Sequence, residues 1–207
     1  MTTSLILYIE REVLPGYEQF DAAHREDHAQ MVIKQSLEIA THYPVNQEMV
    51  YAIAAFHDLG LEVDRKTHHL ESGRIVRKCE RLKEWFSAEE IETMAQAVED
   101  HRASSDHEPR SIYGKIVAEA DRFIEPEKII ERTVQYGLAN YPNLNKEGHW
   151  RRTLDHLHEK YAEGGYLKLY FPESPNVQRL ESLRERINDE PQLRTIFEKI
   201  YNEFAEQ

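Results

Sequence analysis

His57 and Asp58 stand side by side at the end of the apolar run YAIAAF, just before Leu59 and Gly60. A carboxylate in an apolar setting is costly unless something neutralises it. A second mostly apolar stretch, SIYGKIVAEADRFI, acquires Asp121 near its end, and a third, REDHAQMV, carries His28. Neutral imidazole and carboxylate suit divalent Mn, Fe, Co, Ni or Zn. Ligands drawn from separate helices and pointed inwards are a recurrent way to build such a site. A metal there neutralises Asp58 and Asp121 and makes their burial tolerable. Taken singly, His28 reads as a surface residue; the set points to chemistry.

The elements that must position these groups are helical. YEQFDAAHREDHAQMVIKQSLEIATHY spaces Met31, Ile33, Leu37, Ile39 and Ala40 at helical intervals, and Pro44 breaks it. NQEMVYAIAAFHD opens on Asn46, a good N-cap, and is apolar nearly all round, so it belongs in the centre of a bundle. LEVDRKTHH reads as a polar loop and LESGRIVRKCERLKEWF as renewed helix, with Cys79 an ordinary helix residue. Ser87 and Glu90 make a capping-box pattern, SSDHEPR a loop, and Pro126 the start of a further helix. From about Asn143 the character turns polar, then aromatic in YLKLYF, the best strand candidate, then amphipathic to the end. One isolated strand makes no sheet. The expected fold is all-α: a helical domain over residues 1–140, with residues 141–207 as a C-terminal helical extension packed on it.

Bulk properties exclude several classes. A formal charge of −12 repels long polyanions, so long nucleic acid is not an expected partner. One cysteine can form neither an internal disulfide nor a Cys-rich zinc site. The short run SLILYIE has no basic segment before it and is followed by Glu10-Arg11-Glu12, unlike a signal peptide. No stretch approaches the roughly 20 apolar residues of a membrane span. The expectation is a cytoplasmic protein with no membrane partner. His24 and His28 form HREDH, but a zincin needs Glu directly after the first His, which argues against a metalloprotease. His42, His107, His149, His156 and His158 read as surface residues.

The order His28, His57-Asp58, Asp121 resembles the HD-domain superfamily of metal-dependent phosphohydrolases. AAFHDLG is similar to that family's apolar helix, His-Asp pair and Gly turn. HAQMVIKQSLEIA is similar to its first histidine helix, and IVAEADRF to its closing motif. The resemblance covers about residues 20–130 and implies an HD-type helical bundle in which His28, His57, Asp58 and Asp121 ligate the principal metal. HHLESGRIV puts His69 four residues before Gly73, and AVEDHR supplies His101, as in subfamilies with extra histidines. There these residues hold a second metal, with Asp58 bridging, or contact phosphate; His68 is the neighbouring alternative to His69. The cofactor implied is a divalent ion (Mn, Fe, Ni, Co, Zn or Mg) at one site, or at two where the extra histidines join.

A metal lowers the pKa of bound water, and the resulting hydroxide can attack phosphorus in line with the leaving group. Lys115, Arg65, Lys66 and Arg102 are candidate cations for the phosphoryl oxygens, Lys115 in a catalytic role and the other three in substrate binding. Asp58 can orient the water, and Glu62 is a candidate general acid or base. The implied enzyme is a phosphohydrolase acting on a small phosphorylated metabolite, with a nucleotide the favoured class and a homodimer the candidate assembly. SIYGKIVAEADRFIEP is also similar to the closing segment of bacterial diadenosine tetraphosphate hydrolases, which gives a dinuclear enzyme of dinucleoside polyphosphates as the alternative. A non-catalytic metal-binding signalling module and a di-iron oxygenase complete the set.

Overall fold

Asn46 starts the helix on which the site depends. In the computed structural model, which describes residues 1–19, 26–64, 66–103, 105 and 107–205, its Oδ1 accepts the backbone N–H groups of Glu48 and Met49. Helix α3, Gln47–Phe56, follows, and every residue from Met49 to Phe56 is buried. An all-round apolar helix must be covered on all sides. Helices α2 (Glu26–Ala40), α5 (Ala88–Glu99) and α6 (Ile112–Asp121) pack against it. Ser87 and Glu90 form the expected capping box of α5. Helix α4 (His68–Lys78) lies along α5 and against a short 3₁₀ turn, Leu59–Glu62. Ile53, Phe56, Met94, Val98 and Val117 form the centre of this core. Fully burying each is worth roughly 1.5–3 kcal/mol.

The chain begins with α1 (Thr3–Tyr8), a π-helical turn (Ile9–Val13) and a 3₁₀ turn (Leu14–Gln19), which add Leu5, Ile9 and Tyr17 to the same core. Of the long helix expected over residues 17–43, residues 26–40 form α2 and residues 17–19 lie in the 3₁₀ turn, while residues 20–25 lie outside the described residues. The helix expected over 70–86 divides at Cys79, whose backbone is extended, and resumes as a 3₁₀ turn, Glu80–Glu84. Cys79 therefore ends a helix, with its Sγ 3.0 Å from the Tyr8 hydroxyl.

Two compact units make up the chain. The first is Met1–Phe123 with Tyr170–Glu173; the second is Ile124–Leu169 with Ser174–Gln207. The division expected at residue 140 falls inside the second unit, because α7 (Pro126–Asn140) packs with α8 (Lys146–Tyr161), α9 (Asn176–Asn188) and α10 (Glu190–Ala205). Ile130, Trp150, Leu157, Leu183, Leu193 and Phe197 give that unit its own core. His149, expected at the surface, is buried, and burial lowers its pKa, with Arg152 adding to the effect. No strand forms among the described residues. The YLKLYF segment has no partner strand. Its last residues are instead clamped to α6: the buried Glu119 carboxylate accepts the N–H groups of Tyr170 and Phe171, and Arg122 lies over the Tyr170 ring at 5.0 Å. No helix of the described residues is long and apolar enough to cross a membrane.

Candidate metal centre

Three helix C-termini converge in the first unit. Helix α3 ends at Phe56 and delivers His57 and Asp58. Helix α6 ends on Asp121. Helix α5 ends at Glu99, two residues before His101. The negative ends of helix dipoles favour a cation. His28, in the first turn of α2, and His68, the first residue of α4, come instead from helix N-termini.

The rings are aimed by backbone carbonyls. His57 Nδ1 lies 2.8 Å from the Ala54 carbonyl, and His101 Nδ1 lies 2.6 Å from the Val98 carbonyl. A carbonyl only accepts, so each Nδ1 carries a proton, and in the neutral ring Nε2 is left with a lone pair. Both Nε2 atoms point at Asp58. Its Oδ2 is 3.3 Å from His57 Nε2 and 3.8 Å from His28 Nε2. Its Oδ1 is 3.3 Å from His68 Nε2 and 3.4 Å from His101 Nε2. Asp121 Oδ1 closes the first group, 3.2 Å from His28 Nε2 and 3.8 Å from His57 Nε2.

The donor set fits divalent metal. His28, His57 and Asp58 form one group that could hold an ion, and Asp58, His68 and His101 a second. Nε2 atoms face each other at 3.4 Å (His28, His57) and 3.2 Å (His68, His101). Lone pairs this close need a cation or a proton between them. Ligand atoms about 2.1 Å from a tetrahedral ion stand about 3.4 Å from one another, which is the spacing found here. One carboxylate oxygen of Asp58 serves each group.

In the metal-free state a proton does part of this work. Burial opposes charge on His57, yet the Asp58 and Asp121 carboxylates raise its pKa to about 9. Asp58 is held well below the usual carboxylate range, against its own burial, by His57 and His101. A folded-state pKa above the unfolded 6.5 means that this contribution to stability is fully present below pH 6.5 and is lost as pH rises through about 9. Metal binding has the opposite slope, because the ligand must be deprotonated. We expect metal uptake near neutral pH to release about one proton from His57, and affinity to rise up to tenfold per pH unit until about pH 9. Calorimetry in buffers of different ionisation enthalpy reads the proton count; a count of zero contradicts the assignment.

His28, His57, Asp58, Asp121 and His101 are thus brought together, whereas His69 is not: His68 occupies the position expected of it. Successive residues of a helix point about 100° apart, so one histidine of the pair faces Asp58 and the other turns away. His69 lines a cavity of about 580 Å³ with Glu99, Arg102, His107, Glu108 and Arg110. Burial, with His101 and His68 nearby, lowers its pKa to about 4, and its Nδ1 has no hydrogen-bond partner among the described residues. Lys115 is not brought to the cluster. It pairs with Glu108 at 3.5 Å and lies over Tyr170; six residues before Asp121, it sits about 120° round the helix from it. Glu62 ends the 3₁₀ turn exposed. Arg102 donates to the Lys66 carbonyl at 2.8 Å and so ties two loops beside the second group, while the Lys66 side chain is exposed. Arg65 lies outside the described residues.

Two contributions, one of Gly60 and one of Tyr17, were not legible in the sequence. Gly60 allows close approach: a Cβ there would lie 2.1 Å from the His68 carbonyl oxygen and 2.6 Å from the Ser72 nitrogen. Its own N–H donates to the buried Ser72 hydroxyl at 2.8 Å. The Gly after His-Asp was visible; the partner backbone was not. Tyr17, buried beneath the turn, had no local signal at all.

Comparison with known families matches residues 25–124 to the HD domain. No curated protein and no solved structure matches the chain.

Proposed function

We propose that the chain, whose residues 25–124 match the HD domain, is a metal-dependent phosphohydrolase with a dinuclear centre, acting on a small phosphorylated metabolite, a nucleotide being the favoured class. One observation carries the dinuclear reading: the two oxygens of Asp58 face two separate histidine pairs. His28, His57, Asp58 and Asp121 would hold one ion, and Asp58, His68 and His101 the other. Bound divalent metal supplies a water of lowered pKa and Lewis-acid stabilisation of the phosphoryl oxygens.

The chain's own residues do the rest. The Ala54 and Val98 carbonyls hold two imidazoles in the tautomer that donates to metal. Asp58 is buried, so its charge acts in a medium of low dielectric. His69 and Arg102, beside the second group, line a cavity whose size falls within the range of small-molecule sites, roughly 300–1,000 Å³. That cavity supports a place for the organic part of the substrate. His69, kept neutral, can hydrogen-bond it without adding charge. The proposal extends to a cytoplasmic enzyme acting on free metabolites, with a homodimer as the candidate assembly.

The test is phosphate release from a panel of nucleotides and dinucleoside polyphosphates, with Mn, Fe, Co, Ni, Zn and Mg supplied separately. We expect metal-dependent turnover that falls more than about 100-fold in His68→Ala and less than about tenfold in His69→Ala. The reverse order would return the second group to His69. Folded, metal-loaded protein with no turnover on any substrate would favour the signalling module, and oxygen uptake by the iron form the oxygenase.

A further inference from the structure

Outside the matched residues, the N-terminal segment sends one polar side chain under the metal centre. Tyr17 stands eight residues before the match begins and is fully buried. Its hydroxyl donates to the Ala55 carbonyl at 3.0 Å and accepts the Asp58 N–H at 3.3 Å. Its ring lies 6.3 Å from the His57 ring. Ala55 belongs to the last turn of α3, where carbonyls have no partner within the helix. The neighbouring Ala54 carbonyl is already taken by His57. The two carbonyls of this turn therefore orient the two adjacent site residues, His57 directly and Asp58 by way of Tyr17.

We propose that Tyr17 is a positioning residue for the metal centre: its hydroxyl fixes the peptide of Asp58, so that one carboxylate oxygen meets each histidine pair. This rests on the metal-centre reading above. A phenylalanine in its place keeps the ring but leaves a buried carbonyl and a buried N–H with one partner fewer. The carboxylate then loses the backbone that aims it. Outer partners of metal ligands are typically worth about 10–100-fold in metal affinity.

The experiment is calorimetric titration of metal-free protein with Mn(II) at neutral pH, comparing wild type, Tyr17→Phe and Tyr8→Phe. Tyr8 is the control: its hydroxyl lies in the same core, 3.0 Å from Cys79 Sγ, away from the ligands. We expect Tyr17→Phe to weaken Mn(II) about 10–100-fold and Tyr8→Phe to leave it within about twofold, at similar losses of melting temperature. Equal affinity in wild type and Tyr17→Phe overturns the proposal and leaves the metal centre standing. No Mn(II) binding by the wild type overturns both. If Tyr17→Phe does not fold, amide exchange of the wild type decides: protection of the Asp58 N–H like that of core α3 amides supports the role, and fast exchange refutes it.

Discussion

Asp58→Ala removes a ligand from both groups at once. Among the described residues Asp58 is the one carboxylate shared by His28 and His57 on one side and His68 and His101 on the other. Its loss leaves five donors, Asp121 among them, with a single negative charge. Metal affinity is expected to fall by more than about 100-fold at each site, beyond the usual effect of an outer partner, and metal-dependent turnover to vanish with it. Stability responds differently. Breaking a buried ion pair costs about 3–5 kcal/mol when the remaining charge is trapped. Here His57 escapes by releasing its proton, since the Asp58 carboxylate is a main cause of its raised pKa. We therefore expect the metal-free variant to melt no more than about 3 kcal/mol below wild type. Metal content after dialysis, read beside a thermal melt, separates the two effects. Retained stoichiometric metal would show that Asp58 is not the shared ligand.

Gly60→Ala has the next largest effect, and it discriminates between the two groups. The added methyl would meet the His68 carbonyl oxygen at 2.1 Å, the Ser72 nitrogen at 2.6 Å and Glu71 Cβ at 2.8 Å. Two of these are backbone atoms, so no side-chain rotation relieves the clash. The first turn of α4 must move away, and His68 with it. Overpacking of this kind typically costs about 1–3 kcal/mol and occasionally more. We expect a loss at the upper end of that range and a fall from two bound ions to one, because the three atoms that the methyl meets first all belong to α4, which carries His68 and none of His28, His57 or Asp121. Isothermal titration counts the sites. Two sites of unchanged affinity in folded Gly60→Ala would refute the close-approach argument.

The first ligand group was readable because the chemistry sits in short, strongly patterned segments. An apolar helix ending in His-Asp and a second ending in Asp121 state their own conflict between burial and charge. The helix starts were equally local: the Asn46 cap, the Ser87–Glu90 capping box and Pro126 at N1 were all realised. The second group was read one residue off. His68 and His69 are chemically identical neighbours, and the stripe of buried Ser72 and Val76 that continues from His68 overlaps the one through Gly73 that continues from His69. Only the packing of α4 against the Leu59–Glu62 turn, admitted by Gly60, chooses between them. Lys115 lies away from the cluster for a related reason: it was read as a candidate cation for the phosphoryl oxygens, but helix phase turns it to Glu108 and Tyr170.

By itself, then, the sequence determined an all-α chain, a helical core built round residues 47–56 and a His/Asp set suited to divalent metal, since each follows from periodicity, capping or the cost of a buried charge within a few residues. Tertiary structure alone decided which histidine of an adjacent pair faces Asp58 and where the first compact unit ends. It also decided that a tyrosine from the N-terminal segment holds the turn from beneath. These depend on the angle and distance between helices far apart in the chain. Such distances are set by close packing of whole faces, which local pattern does not encode.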